Sequence, residues 1–344
     1  MRALRYDEFR GPLRVVDVPA PTPSPTGVIV RVGATGVCRS DWHGWQGHDP
    51  GIALPHVPGH ELAGTIESLG SDVANWQVGD RVTVPFVCAC GTCPRCLAGD
   101  QQVCDRQSQP GFTHWGSFAE LVALDHADVN LVALPDDLPF TVAAALGCRY
   151  STSFRAVVHQ GRVQAGEWVA VHGCGGVGLS AVQVAVAFGA RVVAVDVSAG
   201  ALELATALGA ESALDATGLD EHEVAAAVQH HTDGGAGLSL DALGSAATCI
   251  ASVLSLRPRG RHVQVGLLPA STVVPMDRVV AAELELYGSH GMPAHAYPEL
   301  LALVAAGRLR PDRLITREID LDEAAEAVRT VGATPGITVI TTFS

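Results

Sequence analysis

The sequence predicts an α/β protein in two parts, an irregular and mostly β domain followed by a doubly wound parallel sheet of six strands. Three observations carry that expectation. Before about residue 138, short β-prone segments such as 14–18, 28–32 and 62–68 alternate with Pro and Gly turns, and no long amphipathic helix interrupts them. From Trp168 onward the texture changes to strands alternating with helical stretches. At that change a glycine-rich turn stands between a strand and a helix.

The second part begins with an apolar strand at 169–172, and GCGGVG at 173–178 opens a helix that runs through Phe188. Gly173, Gly175, Gly176 and Gly178, with Val177 among them, allow a tight turn and a close approach to a pyrophosphate, while the helix N-terminus offers free amide donors and a positive dipole end. The next strand, 191–195, ends in Asp196, which lies 18 residues after Gly178, where a carboxylate can take the adenosine ribose hydroxyls. Strands at 212–215, 238–242, 261–265 and 284–288 complete the six. Amphipathic helices at 297–306 and 321–331 and a terminal strand at 337–342 should return to the first domain. The expected division is 1–150, 151–288 and 289–344, closely joined, since no internal repeat or flexible linker is visible.

The first part carries the metal-binding residue types. Between Cys38 and Glu61 the chain concentrates a thiol, four imidazoles and carboxylates; Cys38 and His60 suit one half of a catalytic zinc site, which needs a third ligand from elsewhere. Read alone, the same residues could be a small buried hydrophobe and a hydrogen-bonded turn histidine. Cys90, Cys93, Cys96 and Cys104 follow a CxxCxxCx7C spacing on a loop with Gly and Pro, and four thiolates so placed close tetrahedrally around one zinc with no open position, which makes a structural site. Cys88 is the spare thiol beside them. Helix 139–146 runs into GCRYSTSFRAVV, where Cys148, taken by itself, reads as a packing cysteine.

Composition narrows the function. With 48% hydrophobic and 17% charged residues the 344-residue chain is globular rather than disordered. The net charge of -14 argues against binding a nucleic-acid backbone, and the four-cysteine loop carries only Arg95 and Arg106 as cations, so a non-catalytic zinc-ribbon binding protein is the weaker rival. All 22 basic residues are arginine, which removes lysine Schiff-base chemistry. No signal-peptide core opens the sequence and no run approaches the roughly 20 apolar residues of a membrane span. The expected compartment is the cytoplasm, where nine cysteines serve as metal ligands or buried thiols rather than as disulfides.

Taken together, GVCRSDWH, GHE, the four-cysteine loop, LGCRYST and GCGGVG with Asp196, in this order, resemble the zinc-dependent medium-chain alcohol dehydrogenases nearly end to end. The resemblance implies a GroES-like catalytic domain holding both zinc sites and a Rossmann domain for NAD. It implies catalytic zinc on Cys38, His60 and Cys148, with Glu61 beside the metal as an alternative ligand, and structural zinc on Cys90, Cys93, Cys96 and Cys104. By the same resemblance Ser40 would touch the oxygen of the substrate at the metal, Asp41 would orient His60, and His43 would pass the proton to solvent. Thr152 matches a position that contacts the nicotinamide, and Arg39 one that can approach the pyrophosphate. Ala201 and Ile337 depart from the pattern, standing where relatives often have a cation near the ribose and an arginine at the pyrophosphate. Trp42, Trp45, Phe86 and Trp115 are candidates to line the substrate pocket, or simply core. The implied reaction is reversible oxidation of a primary or secondary alcohol to an aldehyde or ketone by a homo-oligomer, dimer or tetramer, with polyols or formaldehyde adducts as alternative substrates.

Overall fold

Valine-rich strands dominate both halves of the chain and assemble into two large sheets that meet along one helical run. In the computed structural model residues 1–268 and 270–343 are described. Strands β1 (Arg2–Arg5) and β2 (Arg14–Asp17) form an antiparallel pair. β3 (Val28–Val37), buried along its length except at Arg31 and the half-buried Gly33, pairs antiparallel with both β4 (Glu61–Leu69) and β6 (Leu121–Leu124). β4 continues to β5 (Arg81–Thr83), and β5 to β7 (Val132–Ala133). The second sheet comprises β8 (Trp168–His172), β9 (Arg191–Asp196), β10 (Ser212–Asp215), β11 (Ala236–Asp241), β12 (Leu256–Gln264) and β13 (Glu285–Gly288). All its neighbours are parallel, in the order β10-β9-β8-β11-β12-β13. That is a doubly wound sheet whose connections reverse between β8 and β11, the place where such sheets bind ligands beyond their strand ends. β14 (Ile315–Asp320) and β15 (Ile337–Thr342) leave it, and β15 pairs antiparallel with β3.

The helical run from Phe140 to Gln160 joins the two sheets. It starts as α-helix (Phe140–Ala145), passes through a π turn (Leu146–Tyr150), returns to α-helix (Ser151–Phe154) and ends in a second π segment (Arg155–Gln160). One buried apolar cluster holds Ala34 and Ala63 of the first sheet, Ala143 to Leu146 and Phe154 of this run, and Val169, Leu179 and Val182 of the second domain. The sequence predicts only 139–146 as helix, because Ser151, Thr152 and Ser153 are weak helix formers. Ser151 and Ser153 instead donate back to the carbonyls of Cys148, at 3.2 Å, and Arg149, at 2.8 Å, so their hydroxyls are satisfied within the helix. A seven-residue helix, Arg39–Trp45, also escapes the apolar-periodicity reading, because its start is set by capping at Cys38 and Asp41 rather than by an apolar stripe. The predicted helix 321–331 divides into a 3-10 turn (Leu321–Glu323) and a short α-helix (Ala324–Arg329).

Two imidazoles are buried in the parallel sheet. His172, the last residue of β8, meets Ser255 Oγ at 3.3 Å, and His262 on β12 meets Ser252 Oγ at 2.9 Å and Gln264 Oε1 at 3.2 Å. Burial pushes His172 down to about 3 and His262 down to about 4. Both are bases with folded-state values below their unfolded ones, so the unfolded chain takes up protons first and their contribution to stability is lost as pH falls from about 6.5 toward 4. At pH 4.5 each should cost about 2–3 kcal/mol relative to pH 7. Urea unfolding at the two pH values should therefore show a smaller acid loss for His262→Gln than for the unsubstituted protein. An identical loss in both would contradict this origin.

Candidate active site

Asp41, 1% exposed, sits in the first turn of the Arg39–Trp45 helix and gathers three donors from separate parts of the chain. Its Oδ2 accepts the backbone N–H of Cys38 at 2.8 Å, and its Oδ1 accepts the N–H of Gly59 at 3.0 Å and lies 3.0 Å from His60 Nδ1. A carboxylate accepts only, so in the neutral imidazole the Nδ1 proton points to Asp41 and the lone pair stands on Nε2. That Nε2 is buried and has no hydrogen-bond partner among the described residues.

Donor atoms of Cys38, His60, Glu61 and Cys148 all lie within 4.8 Å of one another. Cys148 comes from the π turn, and Gly147 lets that turn reach β4, since a Cβ at Gly147 would stand 3.0 Å from Glu61 Cα. The Cys38 thiol is held well below the usual thiol range by a hydrogen bond from Cys148, with the charges of Arg149 and His60 adding to it. An orphaned, buried imidazole lone pair facing two sulfurs, one of them biased to thiolate, is the donor set zinc selects, so these residues fit the metal. Glu61 is also paired: its carboxylate accepts from the Arg149 backbone N–H at 2.9 Å, from Nε at 2.9 and 3.1 Å, and from Nη2. Burial raises the Glu61 carboxyl above the ordinary range, against the pull of Arg149.

The second cluster is the four-cysteine loop. Cys93 Sγ lies 3.4 Å from Cys96 and 3.7 Å from Cys104, and Cys90 lies 4.0 Å from Cys96. The N–H groups of Cys90 and Arg106 each donate to Cys104 at 3.3 Å, and Arg106 Nη2 donates to Cys90 at 3.3 Å. Bonds from the Thr92 backbone and then from Arg106 bring the Cys90 thiol down to about 5. Four converging sulfurs with N–H donors suit a closed metal site, and among the described residues no fifth His, Cys, Asp or Glu joins them. Cys88 stays apart, its Sγ 3.6 Å from the Pro85 carbonyl and its thiol pushed up to about 12 by burial.

In the second sheet, β8 ends at His172 and the helix Gly176–Ala187 begins soon after, with Gly175 as its cap. Each glycine of the turn has its own reason. Gly173 has φ +89°, which L side chains rarely adopt. A Cβ at Gly178 would lie 1.8 Å from the Gly173 carbonyl oxygen, whereas one at Gly175 would meet nothing within 4 Å. A Cβ at Gly176 would strike Arg149 Cδ at 2.5 Å. Val177 ties the helix to the neighbouring run through its carbonyl, which lies 2.7 Å from Ser153 Oγ and shares that hydroxyl's single proton with the Arg149 carbonyl. Asp196, at the end of β9, braces the turn by accepting the N–H groups of Cys174 at 2.6 Å and Ser198 at 2.8 Å.

The remaining residues fall in different places. Ser40 Oγ lies 3.8 Å from Cys38 Sγ, and Thr152 Oγ1 is buried with no partner among the described residues. His43 is exposed and meets His48, Nδ1 to Nδ1, at 2.8 Å; burial and the nearby Arg39 and His48 lower it from the ordinary imidazole value. Arg39 donates to the Val331 carbonyl at 3.2 Å and stacks 4.4 Å above Trp42. Of the four candidate pocket aromatics, Phe86 faces His60, with ring centroids 6.3 Å apart. Trp45 and Trp115 spend their indole N–H groups on the carbonyls of Gly11 and Pro55. Sequence reasoning missed Phe112, 5.1 Å from His60, and missed His48 and Arg149. Phe112 and His48 sit in loops without a periodic signal, and Arg149 was hidden beside the cysteine that drew attention.

Comparison with known proteins agrees with this geometry. The alcohol dehydrogenase GroES-like domain matches residues 24–136, and the zinc-binding dehydrogenase domain matches residues 176–306. An alcohol dehydrogenase of Geobacillus stearothermophilus is 36% identical over 314 residues, 90% of each chain. An NAD-dependent alcohol dehydrogenase of Sulfurisphaera tokodaii is 32% identical over 338 residues, 95% of each chain. The solved structure of an alcohol dehydrogenase from Thermus sp. ATN1 superposes with a TM-score of 0.91 at 32% identity, covering 99% of this chain and 100% of the other. With both domain models matched in order along the chain and a relative 36% identical over 90% of its length, the chain belongs to the zinc-dependent medium-chain alcohol dehydrogenase family.

Proposed function

We propose that the protein is an NAD-dependent zinc alcohol dehydrogenase that interconverts a primary or secondary alcohol and its aldehyde or ketone, using two zinc ions per chain. The observation that carries this reading is the buried His60 Nε2, without a hydrogen-bond partner among the described residues, facing the Cys38 and Cys148 sulfurs. The division that serves it is 1–150 with both metal sites, 151–288 for the dinucleotide, and 289–344 returning to the first domain, in keeping with the pairing of β15 on β3.

Cys38, His60 and Cys148 would hold the catalytic zinc, with Glu61 as an alternative ligand that must first leave Arg149. When bound there, zinc supplies Lewis acidity toward the substrate oxygen, and NAD supplies the acceptor for the substrate's hydride. Asp41 keeps His60 Nε2 aimed at the donor cluster. Ser40, beside Cys38, takes the substrate hydroxyl proton at its Oγ, and His43 passes it on toward solvent. Phe86 and Phe112 wall the site and exclude water around His60. Gly175 leaves the space beside the helix N-terminus clear for the pyrophosphate, Thr152 turns its free hydroxyl to the nicotinamide, Asp196 takes the ribose hydroxyls, and Arg39 approaches the phosphates on rearrangement from Val331. Cys90, Cys93, Cys96 and Cys104 would hold the structural zinc.

The chain is read as cytoplasmic, in keeping with nine free cysteines; among the described residues no helix is long and apolar enough to cross a membrane. A homo-oligomer is supported by the edge position of β13 and by the exposed apolar side chains Val273, Met276, Val280 and Leu286 on and before it.

Two measurements follow. Cys148→Ala should abolish turnover and remove one of two zincs while NADH titration remains normal. Cys93→Ala should instead lower the melting temperature by about 5 °C or more, since metal binding there contributes to folding. The opposite pattern, a stable Cys93→Ala and an unfolded Cys148→Ala, would reverse the assignment of the two sites. Cofactor choice is tested separately. Asp196 repels a 2'-phosphate, so NAD should be preferred over NADP, and Asp196→Asn should narrow the ratio of kcat/KM values by about tenfold. Equal efficiency of the unsubstituted enzyme with both cofactors would sink that argument.

A further inference from the structure

Arg149 is buried to 5% exposure, yet only part of its guanidinium is engaged. Nε and Nη2 face the Glu61 carboxylate, whereas Nη1 has no hydrogen-bond partner among the described residues. The side chain runs along the start of the Gly176–Ala187 helix, so close that a Cβ on Gly176 would lie 2.5 Å from its Cδ and 3.2 Å from its Nη1. The missing side chain at Gly176 therefore makes room for an arginine, while the neighbouring Gly175 faces open space. A planar guanidinium has two usable edges, and binding a carboxylate with one leaves the other free for a phosphate. The chain contains no lysine, and Arg149 is the cation whose side chain lies directly against this helix N-terminus.

We propose that Nη1 of Arg149 binds the pyrophosphate of the dinucleotide, so that one guanidinium grips the cofactor on one side and Glu61 on the other. The proposal rests on the reading of the 173–178 turn as the pyrophosphate seat. It gives the family's metal-donor cluster a direct physical link to the nucleotide in this chain, because Glu61 lies within 4.8 Å of the Cys38, His60 and Cys148 donors. An arginine so placed is anchored before the cofactor arrives, which lowers the entropy lost on binding.

The test is equilibrium binding of ADP-ribose, NADH and adenosine to the zinc-loaded protein, followed by calorimetry and NADH fluorescence. Arg149→Lys keeps a positive partner for Glu61 and so should fold, but a single ammonium cannot hold both anions. It should bind ADP-ribose and NADH about tenfold more weakly, with adenosine, which has no phosphate, unchanged. A second comparison guards against misfolding of that variant: Arg149→Met combined with Glu61→Gln buries no unpaired charge, and it should show the same loss relative to Glu61→Gln alone. Unaltered ADP-ribose affinity in both arginine variants would overturn the proposal, as would an equal loss for adenosine. Failure of the unsubstituted protein to bind ADP-ribose at all would instead remove the dinucleotide reading beneath it.

Discussion

One buried carboxylate fixes the geometry on which the site depends. Asp41 is shielded from water, so its oxygens must find donors within the protein, and they find the N–H groups of Cys38 and Gly59 and the Nδ1 of His60. Each bond also does something for the site. The bond to Cys38 closes the N-terminus of a short helix and presents the thiol at its cap. The bond to Gly59 holds the turn before β4, and the contact with His60 fixes the ring so that Nε2 faces the sulfurs. Loss of the carboxylate would leave buried donors unsatisfied, at roughly 1–3 kcal/mol each.

The second constraint is the run from Phe140 to Gln160, which brings Cys148 to this histidine from the far side. A regular α-helix there would place successive side chains differently; the π turn at Leu146–Tyr150 lets Gly147 press against Glu61 while Cys148 joins the donor cluster. The same run supplies Arg149 to Glu61 and to the glycine turn, and Ser153 to the Val177 carbonyl. Because its apolar residues belong to one core with both sheets, the donor cluster and the glycine turn are positioned by a shared packed element.

Much of this was legible in the residues. The strand-turn-helix at 168–187 and the spacing of the four cysteines each carry a chemical requirement in local sequence, and the structure realises both with shifts of a few residues at strand ends. Cys38, His60 and Cys148 were legible together only through resemblance, because no local spacing links residues so far apart. What stayed hidden depends on tertiary contact. The Glu61–Arg149 pair joins positions 88 apart in sequence, and nothing in GCRYST announces that the arginine turns inward. Gly176 looked like a phosphate-approach glycine, whereas its Cβ is excluded by Arg149. The tryptophans read as pocket walls because aromatic residues serve core and pocket alike, and only the fold shows Trp45 and Trp115 satisfied on distant carbonyls.

The role of Asp41 can be measured without turnover. Asp41→Asn preserves size but replaces one acceptor oxygen with a donor, so it opposes at least one of the three bonds and weakens control of the His60 tautomer. Competition of the zinc-loaded protein with a chelator, read by elemental analysis, should show one zinc lost at about 10- to 100-fold lower chelator concentration than in the unsubstituted protein, with the four-cysteine zinc and NADH binding retained. Unchanged retention of both zincs would contradict the account.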